Sequence, residues 1–182
     1  MKKYIVAHNY MCFLALVEMI IYETYDYTVI SQFDMAELFG LTIPFETSIP
    51  IRNFRNSSNQ REYGLHINEE LLNDMFKTKG IRLRTTYFKE NPFEYNEIDE
   101  YCASTFVNNK HLIYTFGYGY LFKDIEKLDL GHAVLFEATV SDSLIKVYDP
   151  GPLNPGIKVI NRVDLHEAML KRGGGIYVFD SI

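Results

Sequence analysis

Three residues far apart in the chain have side chains whose types and settings suit covalent chemistry. The first is Cys12, in the run Asn9-Tyr-Met-Cys12-Phe-Leu-Ala-Leu-Val-Glu-Met-Ile-Ile21. Asn9 is a good N-cap, so a helix is expected from Tyr10 with Cys12 at its third position, where unpaired N–H groups and the positive dipole end favour a thiolate. The second is His132, which opens the strand-like run Gly131-His132-Ala-Val-Leu-Phe136, and the third is Asp149, which closes Val147-Tyr-Asp149 before Pro150-Gly-Pro152. A thiol, an imidazole and a carboxylate in these roles form a nucleophile, a proton carrier and an orienting group, which is the equipment for acyl transfer through a thioester.

Each residue alone has a plain structural reading. Cysteine is among the most buried residue types, and Cys102 is read as packing. His132 could be a satisfied strand histidine, and Asp149 a turn initiator. Together they say more. If residues 133–139 and 144–148 form one hairpin about the polar turn Ser141-Asp-Ser143, His132 and Asp149 fall near its far ends, and the carboxylate can hold one ring nitrogen while the other meets the thiol. His8, His66, His111 and His166 have no comparable partner.

The elements that must position these groups can be read from periodicity. After the first helix, residues 27–39 carry Ile30, Phe33, Met35, Leu38 and Phe39 at helical intervals up to Gly40. Residues 41–64 lose all pattern among Pro44, Pro50, Asn53, Asn56 and Ser57 to Gln60, and are expected to be a long loop, either a lid or a simple surface excursion. A helix is expected over 68–78, capped by Asn68, with Leu71, Leu72, Met75 and Phe76 on one face. Strand pattern follows over 81–88, then a helix over 94–107 and a strand over 111–116, broken by Gly117-Tyr-Gly-Tyr120. The end of the chain reads as a strand over 157–160, a helix from an Asp164 cap to Lys171, and a strand over 176–179 after Gly173-Gly-Gly175. Helices precede the sheet instead of alternating with each strand, so the expected class is α+β, an N-terminal nucleophile helix packed on a C-terminal antiparallel sheet in one domain over 1–182.

Composition narrows the function. At 182 residues and 47% hydrophobic content the chain can bury a sizeable core. A net charge of −6 and no basic run beyond Lys171-Arg172 argue against a nucleic-acid partner. His8, Asn9 and Glu18 interrupt the early apolar stretch, so the chain reads as unexported and cytoplasmic, not membrane-spanning, with Cys12 and Cys102 reduced. Neither cysteine has a partner at zinc-ligand spacing and no phosphate-cradling glycine loop occurs, so no metal or cofactor is expected.

The run from Cys12 to Ile20, then Gly131-His132-Ala-Val-Leu, then Val147-Tyr-Asp149-Pro resembles the motifs of papain-like cysteine peptidases, in particular the bacteriocin double-glycine leader peptidases. That resemblance implies Cys12 as nucleophile, His132 as general base and acid, and Asp149 as orienting residue. The chain departs from the family at Val6, where a glutamine six residues before the cysteine supplies an oxyanion-hole donor. The Cys12 N–H remains as one donor, with Asn9 or His8 as candidates for the second.

The chain is also similar to stand-alone relatives in antibiotic biosynthesis, transglutaminase analogues and aminoglycoside acyltransferases. From these the expected reaction is amide formation, with an acyl thioester on a carrier-protein phosphopantetheine as donor and a small amine as acceptor. Cleavage of a peptide or leader peptide is the alternative, and an inactive binding or immunity protein on the same scaffold a third. The aromatic run Tyr114, Tyr118 and Tyr120 ahead of His132 is a candidate acyl channel.

Overall fold

A computed structural model describes residues 3–47, 52, 54–89, 110–128 and 130–182. Helix α1, Cys12–Tyr25, carries the candidate nucleophile. Its start differs from expectation. The chain first turns, Met11 N–H donating to the His8 carbonyl at 3.0 Å with Tyr10 at φ 65°. Met11 therefore becomes the N-cap, Asn9 caps nothing, and Cys12 is the first helical residue instead of the third. Leu14, Leu16, Val17, Met19, Ile20 and Ile21 are all fully buried, so the helix forms the centre of a core.

Helix α2, Gln32–Leu38, begins later than the periodicity over 27–39 indicates, because Ser31 and Asp34 form a reciprocal capping box that sets the start. The segment expected to be a loop is partly built. Strand β1, Thr42–Pro44, pairs in parallel with β2, Arg55–Ser57, and Thr42 bridges to Gly64. Helix α3, Glu69–Thr78, has the expected Asn68 cap, whose side chain accepts from Leu71 N–H. Leu72, Met75 and Phe76 are buried as expected, but Leu71 lies 43% exposed.

The main sheet contains β3 (Leu83–Lys89), β4 (His111–Gly117), β5 (Gly131–Ser141), β6 (Leu144–Asp149), β7 (Gly156–Asn161) and β8 (Gly175–Ser181). Its order is β3-β8-β4-β5-β6-β7 and every pairing is antiparallel. Between β4 and β5, Tyr118–Phe122 forms a one-turn helix, α4, where only a strand break was expected. Helix α5, Arg162–Arg172, is capped by Asn161, whose side chain accepts from Val163 N–H at 2.8 Å, so the cap lies three residues before Asp164. It ends at Gly173 with φ 70°, and the next residue, Gly174, lies so close to the Thr115 carbonyl that a Cβ would overlap it. The helix expected over 94–107, with Cys102, Asp99 and Glu100, lies outside the described residues.

The sheet separates two apolar cores. Ile113, Ala133, Leu135, Tyr148, Tyr177 and Phe179 join the residues of α1, α2 and α3. Leu112, Phe116, Val134, Phe136, Val147 and Val178 join Leu165, Ala168 and Met169 of α5. This alternation along each strand is what a sheet covered on both faces requires. The class is α+β, with α1 packed on β4 and β5. Among the described residues, no helix is long and apolar enough to cross a membrane.

Candidate active site

The candidate site forms where the start of α1 meets the ends of β5 and β6. The expected hairpin exists, with Leu135 opposite Tyr148. Continuing that register by one residue sets Asp149 opposite Val134, and Val134 shares a sheet face with His132, so the two functional side chains lie diagonal to each other. His132 Nε2–H donates to Asp149 Oδ1 at 2.8 Å. Both are enclosed, their side chains 9% and 2% exposed.

Asp149 is held at both oxygens. Oδ1 also accepts from Gly151 N–H at 2.8 Å, and Oδ2 accepts from Lys158 Nζ at 2.5 Å. Burial by itself would raise its pKa, but the bonds from His132, Lys158 and Gly151 favour the anion and bring it down to about 2. Around the His132 ring, each in an edge-to-face arrangement with it, stand Phe116 at 5.7 Å, Tyr118 at 5.3 Å and Phe122 at 6.5 Å between centroids. This apolar burial disfavours the imidazolium, yet the Asp149 carboxylate and the neighbouring Cys12 sulfur outweigh it and raise the His132 pKa to about 9. Nε2 being committed to Asp149, Nδ1 is the nitrogen left for the Cys12 sulfur. Cys12 is a free, half-buried thiol.

The segment leading to Cys12 is fastened from three directions. Tyr148 Oη donates to the Ile5 carbonyl at 3.1 Å, and Ala7 N–H donates to the Pro150 carbonyl at 2.8 Å. The Gln32 amide spans the next residues, Nε2 donating to the Val6 carbonyl at 3.1 Å and Oε1 accepting from His8 N–H at 2.9 Å. Gln32 N–H in turn donates to the buried Glu18 carboxylate at 2.7 Å. Neither Gln32 nor Lys158 was a sequence candidate. For Lys158 the local pattern misleads, since apolar Ile157 and Val159 are the exposed neighbours while Lys158 turns to Asp149. For Gln32 the sequence offers no signal.

The remaining expected residues divide. As the first helical residue, Cys12 presents one of the N–H groups that a helix leaves unpaired. Asn9 sits exposed in the turn ahead of it, and the His8 ring lies against Phe33 at 5.5 Å. Val6 is 48% exposed. Of the three tyrosines, Tyr118 meets the His132 ring, Tyr114 is buried in the core under α5 against Phe136, and Tyr120 packs at the margin of that core beneath Lys171. The built segment after α2 also reaches the site, since Tyr63 stands edge-on to Tyr10, two residues before Cys12. Among the described residues, no three His, Cys, Asp or Glu side chains gather to hold a metal.

No family model and no curated protein matches the chain. Among solved structures it is similar to a Bacillus anthracis protein designated a C39-like peptidase, with a TM-score of 0.63 over 100% of this chain and 95% of that one, at 12% identity. The chain shares that protein's fold. At so low an identity the likeness reaches the whole architecture and assigns no residue a role.

Proposed function

We propose that this protein is a cysteine peptidase-type enzyme in which Cys12, His132 and Asp149 carry an acyl group through a thioester. The observation behind the reading is the His132 ring, bonded to a buried Asp149 and close enough to Cys12 for the two to interact electrostatically. The Cys12 sulfur adds to a substrate carbonyl, forming the S–C bond. The C–N bond then breaks as His132 passes its proton to the departing amine. Water, losing a proton to His132, attacks the thioester and releases the acid, and that proton restores the starting pair. Asp149 stays ionised throughout and holds the ring. The Cys12 N–H is one donor to the oxyanion, with Asn9 the candidate for the other.

The full-length likeness to a C39-like peptidase supports hydrolysis of a peptide ahead of the amine transfer that the sequence favoured. One observation keeps transfer as the second reading. Val6 stands where the resembling family has its oxyanion glutamine, and a thioester donor needs less stabilisation of its tetrahedral intermediate than an amide. Aminolysis by a small amine uses the same three residues, with Tyr118 beside the acyl group. The test is product analysis by mass spectrometry after incubation with a peptide library and, separately, with an acyl thioester plus a small diamine. Cleaved peptides support the peptidase; amide product without peptide cleavage supports the transferase, whose donor would be a carrier-bound phosphopantetheine thioester. No covalent adduct with either substrate would return the protein to a binding role on this fold.

A further inference from the structure

We infer that Lys158 is a positioning residue of this site, locking the Asp149 carboxylate in place and setting the pH at which His132 gives up its proton. The inference rests on the thiol–imidazole reading above. Lys158 lies on β7 opposite Val147, two residues before Asp149 on β6, so the register puts its side chain on the Asp149 face. Its Nζ reaches Asp149 Oδ2 and also stands 4.9 Å above the Phe122 ring, which packs edge-to-face with His132. A lysine held between a buried carboxylate and an aromatic face is fixed in position, unlike a surface lysine in water.

Among the described residues, few charged or titratable groups face this cluster. His132 meets Cys12 from α1, Asp149 from β6 and the Tyr118 phenol from α4, above which lies Lys127, itself paired with Asp124. Asp149 meets His132 and Lys158, with Tyr148 its neighbour on the strand. Two cations therefore share one buried carboxylate. The ammonium draws on the negative charge that would otherwise act on the imidazolium alone, and it repels that imidazolium through a poorly screened interior. Removing it leaves the whole carboxylate to His132, so the ring should hold its proton to higher pH. Removal also frees Oδ2, so the carboxylate and the ring bonded to its Oδ1 are held less firmly against Cys12, which slows turnover.

The decisive measurement is an NMR titration of the His132 Cε1–H resonance in wild type, Lys158→Met and Lys158→Arg, beside pH profiles of kcat/KM. In Lys158→Met the midpoint should rise by ~0.5–1 pH unit, the alkaline limb of the profile should follow it, and kcat should fall several-fold with KM little changed. Lys158→Arg should restore both. An unmoved or lowered midpoint in a folded Lys158→Met overturns the inference. If that variant does not fold, Lys158→Gln takes its place in the same titration. Midpoints that separate in a protein forming no acyl adduct would sink the catalytic reading and leave this one standing; normal adducts with identical midpoints would do the reverse.

Discussion

Ala7, five residues before Cys12, donates its backbone N–H to the carbonyl of Pro150, the residue after Asp149, at 2.8 Å. This single bond joins the chain entering the thiol helix to the chain leaving the carboxylate strand, although the two lie at opposite ends of the sequence. With Tyr148 on Ile5 and Gln32 on Val6 and His8, it sets the approach of Cys12 to His132 before any substrate arrives.

Cys12→Ala should abolish covalent acyl-enzyme while preserving the fold, since it removes one sulfur from a half-buried position at a helix start. Intact-protein mass spectrometry with an activated thioester reads this directly. Iodoacetamide should also label Cys12 well ahead of Cys102, because the His132 ring beside the Cys12 sulfur can take its proton as the S–C bond forms. Equal, slow labelling of both thiols would count against a reactive Cys12.

His132→Ala deletes the proton carrier, whereas Asp149→Asn keeps a hydrogen-bonding partner and loses the charge. Turnover should fall by ~10²–10⁴-fold in the first variant and less in the second. Steady-state rates decide it, and near-normal turnover in His132→Ala would assign the proton to another group.

Gly151→Ala tests how tightly the carboxylate is seated. A Cβ at Gly151 would lie 2.9 Å from Asp149 Oδ1 and 3.4 Å from His132 Cε1. Asp149 is buried and held at both oxygens, so it cannot give way freely. The variant should lose turnover by roughly tenfold, as expected for a small displacement at a reacting centre. Unchanged kinetics would mean that the carboxylate relaxes without consequence.

Gln32→Ala leaves the Val6 carbonyl and the His8 N–H without their partner in a part-buried setting. Stability should drop by about 1–3 kcal/mol, measured as a lower urea midpoint at constant slope. Acylation by a thioester should slow as well, since the approach to Cys12 is loosened. A stability loss with unchanged acylation would confine Gln32 to a structural role.

The pH dependence has a definite sign. His132 is raised from 6.5 to about 9, so its contribution to stability is complete below pH 6.5 and disappears as the pH rises through about 9. Asp149 is lowered from 3.8 to about 2, so its contribution is present above pH 3.8 and is lost as the pH falls through about 2. Urea midpoints across pH should therefore show an alkaline decline that Asp149→Asn weakens. Activity should fall over the same alkaline range, as the imidazolium needed to protonate the leaving group is depleted. A stability curve flat to pH 10 would contradict the raised value.

Much of this was legible locally. The apolar run after Cys12, the hairpin about Ser141-Asp-Ser143 and the Asn68 cap are each decided within a few residues, by periodicity, turn chemistry and side-chain capping, and all appear in the fold. So the sequence alone determined the α+β class and nominated Cys12, His132 and Asp149. It could not locate the start of α1, because the turn at His8 to Met11 competes with an Asn9 cap and wins through distant bonds to Gln32 and Pro150. Nor could it separate Tyr118 from Tyr114, since burial depends on which sheet face a helix covers. Gln32 and Lys158 escaped for the same reason: their partners, Val6, His8 and Asp149, become neighbours only through helix packing and strand register, and long-range placement leaves no local periodic trace.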